Sequence, residues 1–266
     1  CTVRAANEAT GGIYGDVELI FKAQPALTDV FITTAEDAES ITVSCSCTEP
    51  APIHWEIYGK NGLVDEGTSE SSVFTIARGP MHFWSPEAPD LYTLKLTLAA
   101  ESTELVFGIR RLAAHGSSFS LNNEPVYLRG ICEHGYYPDT VHPPRDINYY
   151  RDVIMTLKQL GFNFIRFHTW IPMEEYMRAA DELGIMLHVE SPNNTTTEEW
   201  IQILKYVRRH PSVVICCCGN ELLIDDAYVG RLERHAALCH ELMPDALFSP
   251  MNALRGVEYG WLASNL

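Results

Sequence analysis

The hydrophobic rhythm of this chain changes once, near residue 113, and that change limits the folds open to it. Ahead of it, apolar residues recur at every second position. In Tyr92-Thr-Leu94-Lys-Leu96-Thr-Leu98 one face is apolar and the other polar, and Ile41, Val43, Cys45 and Cys47 repeat the pattern. A period of two belongs to a strand buried on one side. Val17 to Ala23, Leu27 to Thr34, Ser40 to Cys47, Ile53 to Tyr58, Val73 to Ala77, Tyr92 to Ala99 and Glu104 to Leu112 all read as strands. Turn formers separate them at Glu49-Pro50, Lys60-Asn61-Gly62, Arg78-Gly79-Pro80 and Ala88-Pro89-Asp90. Strands this short and closely spaced predict a β-sandwich of immunoglobulin type over residues 17–112.

Beyond residue 113 strands alternate with helices. Val126 to Ile131, Asn163 to His168, Ile185 to Glu190, Val213 to Gly219 and Ala246 to Pro250 are the strand candidates. Tyr150, Val153, Ile154, Leu157 and Leu160 fall at helical spacing. Pro172 opens a second helix, with Glu174 and Glu175 in its first turn and Gly184 past its end. Thr196 and Glu199 have capping-box spacing ahead of Trp200, Ile203, Leu204 and Val207. Val229, Leu232, Ala236 and Cys239 mark a fourth helix before Pro244. Such alternation predicts a parallel sheet. A closed (β/α)8 barrel takes about 250 residues, so residues 113–266 hold about half of one. A doubly wound sheet would be complete in this length, although no Gly-x-Gly-x-x-Gly loop accompanies it.

Composition narrows the partners. The formal net charge is -16, and such a surface repels nucleic acid and anionic membranes. No apolar run reaches the length of a transmembrane helix. The eight cysteines lack the spacing of a zinc or redox site, and Cys216, Cys217 and Cys218 are consecutive on a strand expected to be buried. Unpaired thiols favour a reducing compartment such as the cytoplasm. The chain opens on Cys1 rather than Met, which leaves export open.

Asn220 and Glu221 close the apolar run Val213-Val214-Ile215-Cys216-Cys217-Cys218-Gly219. In a βα barrel the chemistry lies at the C-terminal ends of the strands, so Glu221 is the leading candidate for a catalytic acid/base. The competing reading is a carboxylate that caps or salt-bridges the following helix. Adjacent strand residues point to opposite faces. Asn220 and Glu221 can reach one ligand only if the chain turns there, which Gly219 permits. Arg166 and His168, two apart, share one face of their strand; an inward Arg166 paired with Glu190 is the plain alternative to a role in catalysis. Trp170 could face a ligand or lie in the core.

At this point several segments together resemble the glycoside hydrolases of family 2, the β-galactosidase, β-glucuronidase and β-mannosidase group. They are Gly11-Gly-Ile-Tyr-Gly-Asp-Val-Glu-Leu19, Trp84-Ser-Pro-Glu-Ala-Pro-Asp-Leu-Tyr92, Phe107-Gly-Ile-Arg-Arg111 with Phe119 to Gly130, and Gly161-Phe-Asn-Phe-Ile-Arg-Phe-His168. Asp181-Glu-Leu-Gly184 with Glu190, and Arg209-His-Pro-Ser212 followed by Gly219-Asn-Glu221, complete the set. The resemblance implies a multidomain protein: residues 1–16 as the tail of an N-terminal jelly roll, residues 17–112 as an immunoglobulin-like sandwich, and residues 113–266 as the first part of a TIM-barrel catalytic domain. It implies a retaining glycosidase working by double displacement on an oligosaccharide or glycoside; no cofactor is expected, and no metal, because the spacings of the strand-end acids and histidines fit no metal motif. Glu221 would be the acid/base, Asn220 would bind the sugar 2-hydroxyl, and Arg166 would support the carboxylates. His168, Trp170 and His134 would contact the sugar. The nucleophile, a second Glu, would lie beyond Leu266, so residues 1–266 alone are expected to be inactive and to associate through the open sheet edges. A non-catalytic carbohydrate-binding or scaffold fragment is the alternative.

Overall fold

A computed structural model describes residues 17–22, 24–222 and 226–252. The expected jelly-roll tail, residues 1–16, lies outside them. The first half forms β1 (Leu27–Thr34), β2 (Ser40–Cys47), β3 (Ile53–Gly59), β4 (Gly62–Ser69), β5 (Val73–Ala77), β6 (Tyr92–Leu98) and β7 (Glu101–Phe107). Two antiparallel sheets result, ordered β1-β2-β5 and β4-β3-β6-β7. Alternation explains how they meet: Ile41 and Val43 of one sheet and Ile57, Leu94 and Leu96 of the other share a single core and are fully buried. Burying a side chain of that size is worth about 1.5–3 kcal/mol.

The strand expected at Val17 to Ala23 is not found over its described residues, and Val17, Leu19, Ile20 and Phe21 are exposed. Their alternation has no facing layer among the described residues. In its place β4 joins the second sheet as an edge strand beside β3.

A three-stranded antiparallel sheet follows, β8 (Leu112–His115), β9 (Ser118–Leu121) and β10 (Glu124–Val126). The expected strand from Val126 to Ile131 is therefore divided. Val126 pairs back onto Phe119, and the parallel sheet starts only with β11 (Gly130–Glu133). It continues as α1 (Ile147–Gln159), β12 (Phe164–Phe167), α2 (Glu174–Leu183), β13 (Met186–Glu190), α3 (Thr197–Val207), β14 (Val213–Cys217), α4 (Asp226–Leu242) and β15 (Leu247–Ser249).

The five strands are all parallel and lie in sequence order, β11-β12-β13-β14-β15. Residues of all four helices share one core with Ile165, Phe167, Leu187, Val189, Cys216 and Cys218. A doubly wound sheet needs a reversal of strand order and helices on both faces, so that alternative is overturned. The other face takes Trp84, Leu112, Leu121, Phe119 and Val126 against Phe164, Met186 and Leu247, the first residues of three strands. This covers the N-terminal end of that face and leaves its C-terminal end to polar side chains.

The two halves are bolted together by Arg110. Its guanidinium, 3% exposed, donates to the carbonyls of Pro211 (2.9 Å), Val213 (2.7 Å) and Asp245 (2.7 Å). It also pairs with Asp245 Oδ2 at 3.1 Å, while that carboxylate accepts the Thr34 N–H at the end of β1.

Candidate active site

The polar end of the sheet is organised by Arg166 on β12. Its Nη2 donates to Glu190 Oε2 at 2.8 Å and to Asn220 Oδ1 at 2.7 Å, and its Nε reaches Glu190 Oε2 at 3.1 Å. Glu190, the last residue of β13, is fully buried. A buried carboxylate requires a counter-charge and hydrogen bonds to both oxygens. Arg166 supplies the charge, the Thr169 N–H donates to Oε1 at 2.9 Å, and the Asn252 amide donates to Oε2. The pairing of Arg166 with Glu190 and its reach to Asn220 occur together, because a planar guanidinium can serve two acceptors at once.

His188 lies under this group. Burial, with Arg166 acting in the same direction, holds its imidazole down at about 3. It is neutral at neutral pH, and its Nε2 accepts from the Asn252 amide 3.2 Å away. Ligand atoms of His188, Glu190 and Cys217 lie within 4.8 Å of one another, the spacing of a metal site. One feature opposes that use: the cation beside Glu190 is already Arg166, 2.8 Å from its Oε2.

Glu221 is exposed, beyond the last residue of β14. The backbone turns there as the sequence allows: Gly219 has φ +134° and Glu221 has φ +53°. Asn220 forms a parallel bridge with Asn252, the Glu221 N–H donates to Asn252 O at 3.1 Å, and the Asn252 N–H donates to Gly219 O at 3.1 Å. Arg166, Asn220 and Glu221 are thus brought to one strand end.

His168 and His134 come together, with ring centroids 4.7 Å apart, and exposed Tyr136 stacks on His134 at 5.7 Å. Burial lowers the His168 imidazole below its usual range, with Glu190 opposing. Trp170 departs from expectation as a stacking platform. It is 3% exposed, its Nε1 donates to Glu133 O at 3.1 Å, and its ring meets Phe167 edge-on at 5.0 Å. The indole is part of the buried core beneath the helices.

Arg209-His-Pro-Ser212, read together with Glu221 in the sequence, sits at the opposite end of β14. His210 Nδ1 is 2.7 Å from Asp181 Oδ2, its Nε2 is 3.4 Å from Glu174 Oε2, and the Ser212 N–H donates to Asp181 Oδ1 at 3.0 Å. Burial alone would depress this imidazole, but Asp181 and Glu174 raise it to about 9. The motif is a structural clasp holding α2 against the start of β14. A cavity of about 700 Å³ nearby, lined by Asp29, Glu104, Arg178 and His210, is likewise remote from Glu221.

Sequence reasoning did not single out Asn193 or Asn252. Asn193 lies in Pro192-Asn-Asn-Thr195, whose only signal is that of a turn, and Asn252 follows a short strand with no motif around it.

Residues 26–110 match the family model described as Glycosyl hydrolases family 2. A β-galactosidase of Photobacterium profundum is 26% identical over 256 residues, a match that takes in 79% of this chain and 25% of that protein. A putative β-glucuronidase of Formosa agariphila is 27% identical over 247 residues, covering 80% of this chain and 29% of that protein. The solved structure of a β-glucuronidase from Faecalibacterium prausnitzii has the same fold over 89% of this chain and 43% of its own, with a TM-score of 0.73 at 22% identity. The chain spans about a quarter of the length of the curated relatives it matches. The family model meets the sandwich, the longer matches reach both halves, and over both the chain is similar to the glycosyl hydrolases of family 2.

Proposed function

We propose that this chain supplies the acid/base half of a retaining glycoside hydrolase that removes a terminal sugar by double displacement. The sandwich is read as immunoglobulin-like, and the five sequential strands as the first arc of a (β/α)8 barrel. Glu221 protonates the leaving oxygen and later activates water. Asn220 hydrogen-bonds the sugar 2-hydroxyl, a contact that strengthens as the anomeric carbon becomes positive. His134 and His168 flank the sugar. The nucleophile is a carboxylate of the longer enzyme, about 5–5.5 Å from the acid/base as retention requires. No metal or cofactor is assigned a step.

The observation that carries this reading is the fork of Arg166 between Glu190 and Asn220. It fixes the Asn220 carbonyl oxygen and leaves the Asn220 NH2 group, which has no partner among the described residues, to a hydroxyl. It does so beside an exposed carboxylate at a strand's C-terminal end. The names of the relatives suggest a galactoside or a glucuronide as substrate.

The test is Glu221→Gln in the full-length enzyme, assayed on aryl β-galactosides and β-glucuronides. Loss of general acid help lowers turnover by about 10²–10⁴-fold, with folding unchanged. An equally active variant removes Glu221 from the mechanism. A wild-type enzyme that binds these sugars without turnover indicates a carbohydrate-binding protein instead.

A further inference from the structure

We infer that Asn193 is a positioning residue for the acid/base, acting through the backbone of Asn220; this rests on the role proposed for Glu221. Strand β13 ends at Glu190, and the Ser191 N–H makes the last ladder bond, to Cys217 O at 2.9 Å. Pro192 has no N–H to continue the ladder. The chain turns instead, with Thr195 Oγ1 and the Thr195 N–H both donating to Pro192 O and Asn194 at φ +65°. The turn brings the Asn193 side chain alongside β14.

There the carboxamide takes the place of a strand neighbour. Its Oδ1 accepts the Asn220 N–H at 2.9 Å, and its Nδ2 donates to Asn220 O at 3.1 Å. One amide thus satisfies both backbone groups of the residue before Glu221. On the opposite side Asn252 holds the flanking residues through its own backbone, bonding Gly219 O and the Glu221 N–H. The three-residue turn is gripped from both edges just where its backbone is least relaxed, between φ +134° at Gly219 and φ +53° at Glu221.

Gly219 belongs to the same device. A Cβ on it would lie 2.8 Å from Asn193 Oδ1, closer than such atoms approach. Glycine is needed there both for its φ and so that the carboxamide can reach the next peptide. The grip acts on backbone, so it controls where the Glu221 side chain starts without touching substrate. A misplacement of about 1 Å in a reacting group costs about 100-fold in rate.

The experiment uses the full-length enzyme and two aryl glycosides of the preferred sugar. A 4-methoxyphenyl glycoside needs the acid, and a 2,4-dinitrophenyl glycoside leaves without it. Asn193→Ala, Asn193→Asp and Gly219→Ala are compared with wild type for kcat/KM across pH, with thermal unfolding confirming that each variant is folded. The expected result is a loss of about 100-fold on the methoxyphenyl substrate, a loss of about threefold or less on the dinitrophenyl substrate, and a displaced alkaline limb. The nearly isosteric Asn193→Asp gives this signature without loss of packing. Equal losses on both substrates, or none on either, overturn the positioning role. Glu221→Gln is run alongside. If it shows the leaving-group dependence and the Asn193 variants do not, the positioning role alone fails; if it spares the methoxyphenyl substrate, the acid/base assignment fails first.

Discussion

Raising the pH through 9 should loosen the clasp between α2 and β14. Protonated His210 faces Asp181 at 2.7 Å and Glu174 at 3.4 Å in a buried setting, which lifts its pKa from 6.5 to about 9. A group whose pKa is higher folded than unfolded binds its proton more tightly in the native state, so its contribution is complete below 6.5 and lost as pH rises through 9. At about 1.4 kcal/mol per pH unit, the interval from 6.5 to about 9 corresponds to about 3 kcal/mol. His210→Gln keeps a hydrogen-bonding side chain but cannot titrate. Urea unfolding of wild type and variant, followed by tryptophan fluorescence between pH 6 and 10, should show the wild-type advantage shrinking by about that amount as the solution becomes alkaline. Parallel stability curves, or an imidazole that titrates near 6.5 by NMR, would refute the reasoning.

Replacing Arg110 by alanine should cost about 3–5 kcal/mol, because Asp245 and three buried carbonyls lose their shared partner; the unfolding midpoint in urea measures it. Arg166→Lys should lower kcat by about tenfold or more with a smaller change in stability, since an ammonium lacks the planar fork that reaches Glu190 and Asn220 together. Steady-state kinetics beside thermal unfolding separates the two effects, and an unchanged kcat would show that Asn220 is held well enough by its other contacts.

What could be read in the sequence was read where one physical signal acted alone. The leucines of β6 alternate because one face is dry, and Leu94, Leu96 and Leu98 are all fully buried. Thr196 and Glu199 form the reciprocal capping box their spacing announces. Strand β4 was missed because Gly62–Ser69 is an edge strand, largely exposed and without an apolar stripe. Val17 to Phe21 had some of that stripe but makes no ladder among the described residues. The break between β10 and β11 was hidden because Val126 to Ile131 reads in sequence as one strand, and pairing partners, not local preference, decide where one sheet ends.

At the candidate site, Arg166, Asn220 and Glu221 were legible from strand ends and from the family resemblance. Asn193 was not, because its two bonds link backbone to side chain across 27 residues, and nothing local marks them. Trp170 illustrates the converse. A tryptophan at a strand end looks the same in sequence whether its faces meet solvent or Phe167.

The Arg110 bolt also bears on how such a protein can be inherited. It enters from the segment that leaves the sandwich and closes on the carbonyls of Pro211 and Val213, at the start of the strand whose far end carries Asn220 and Glu221. An exchange of the sandwich for an unrelated module would remove the cation on which that strand's first residues and Asp245 depend. The sandwich and the parallel sheet should therefore pass between lineages as a single unit, and recombination that separates them should survive only where the incoming module brings its own arginine to the same three carbonyls.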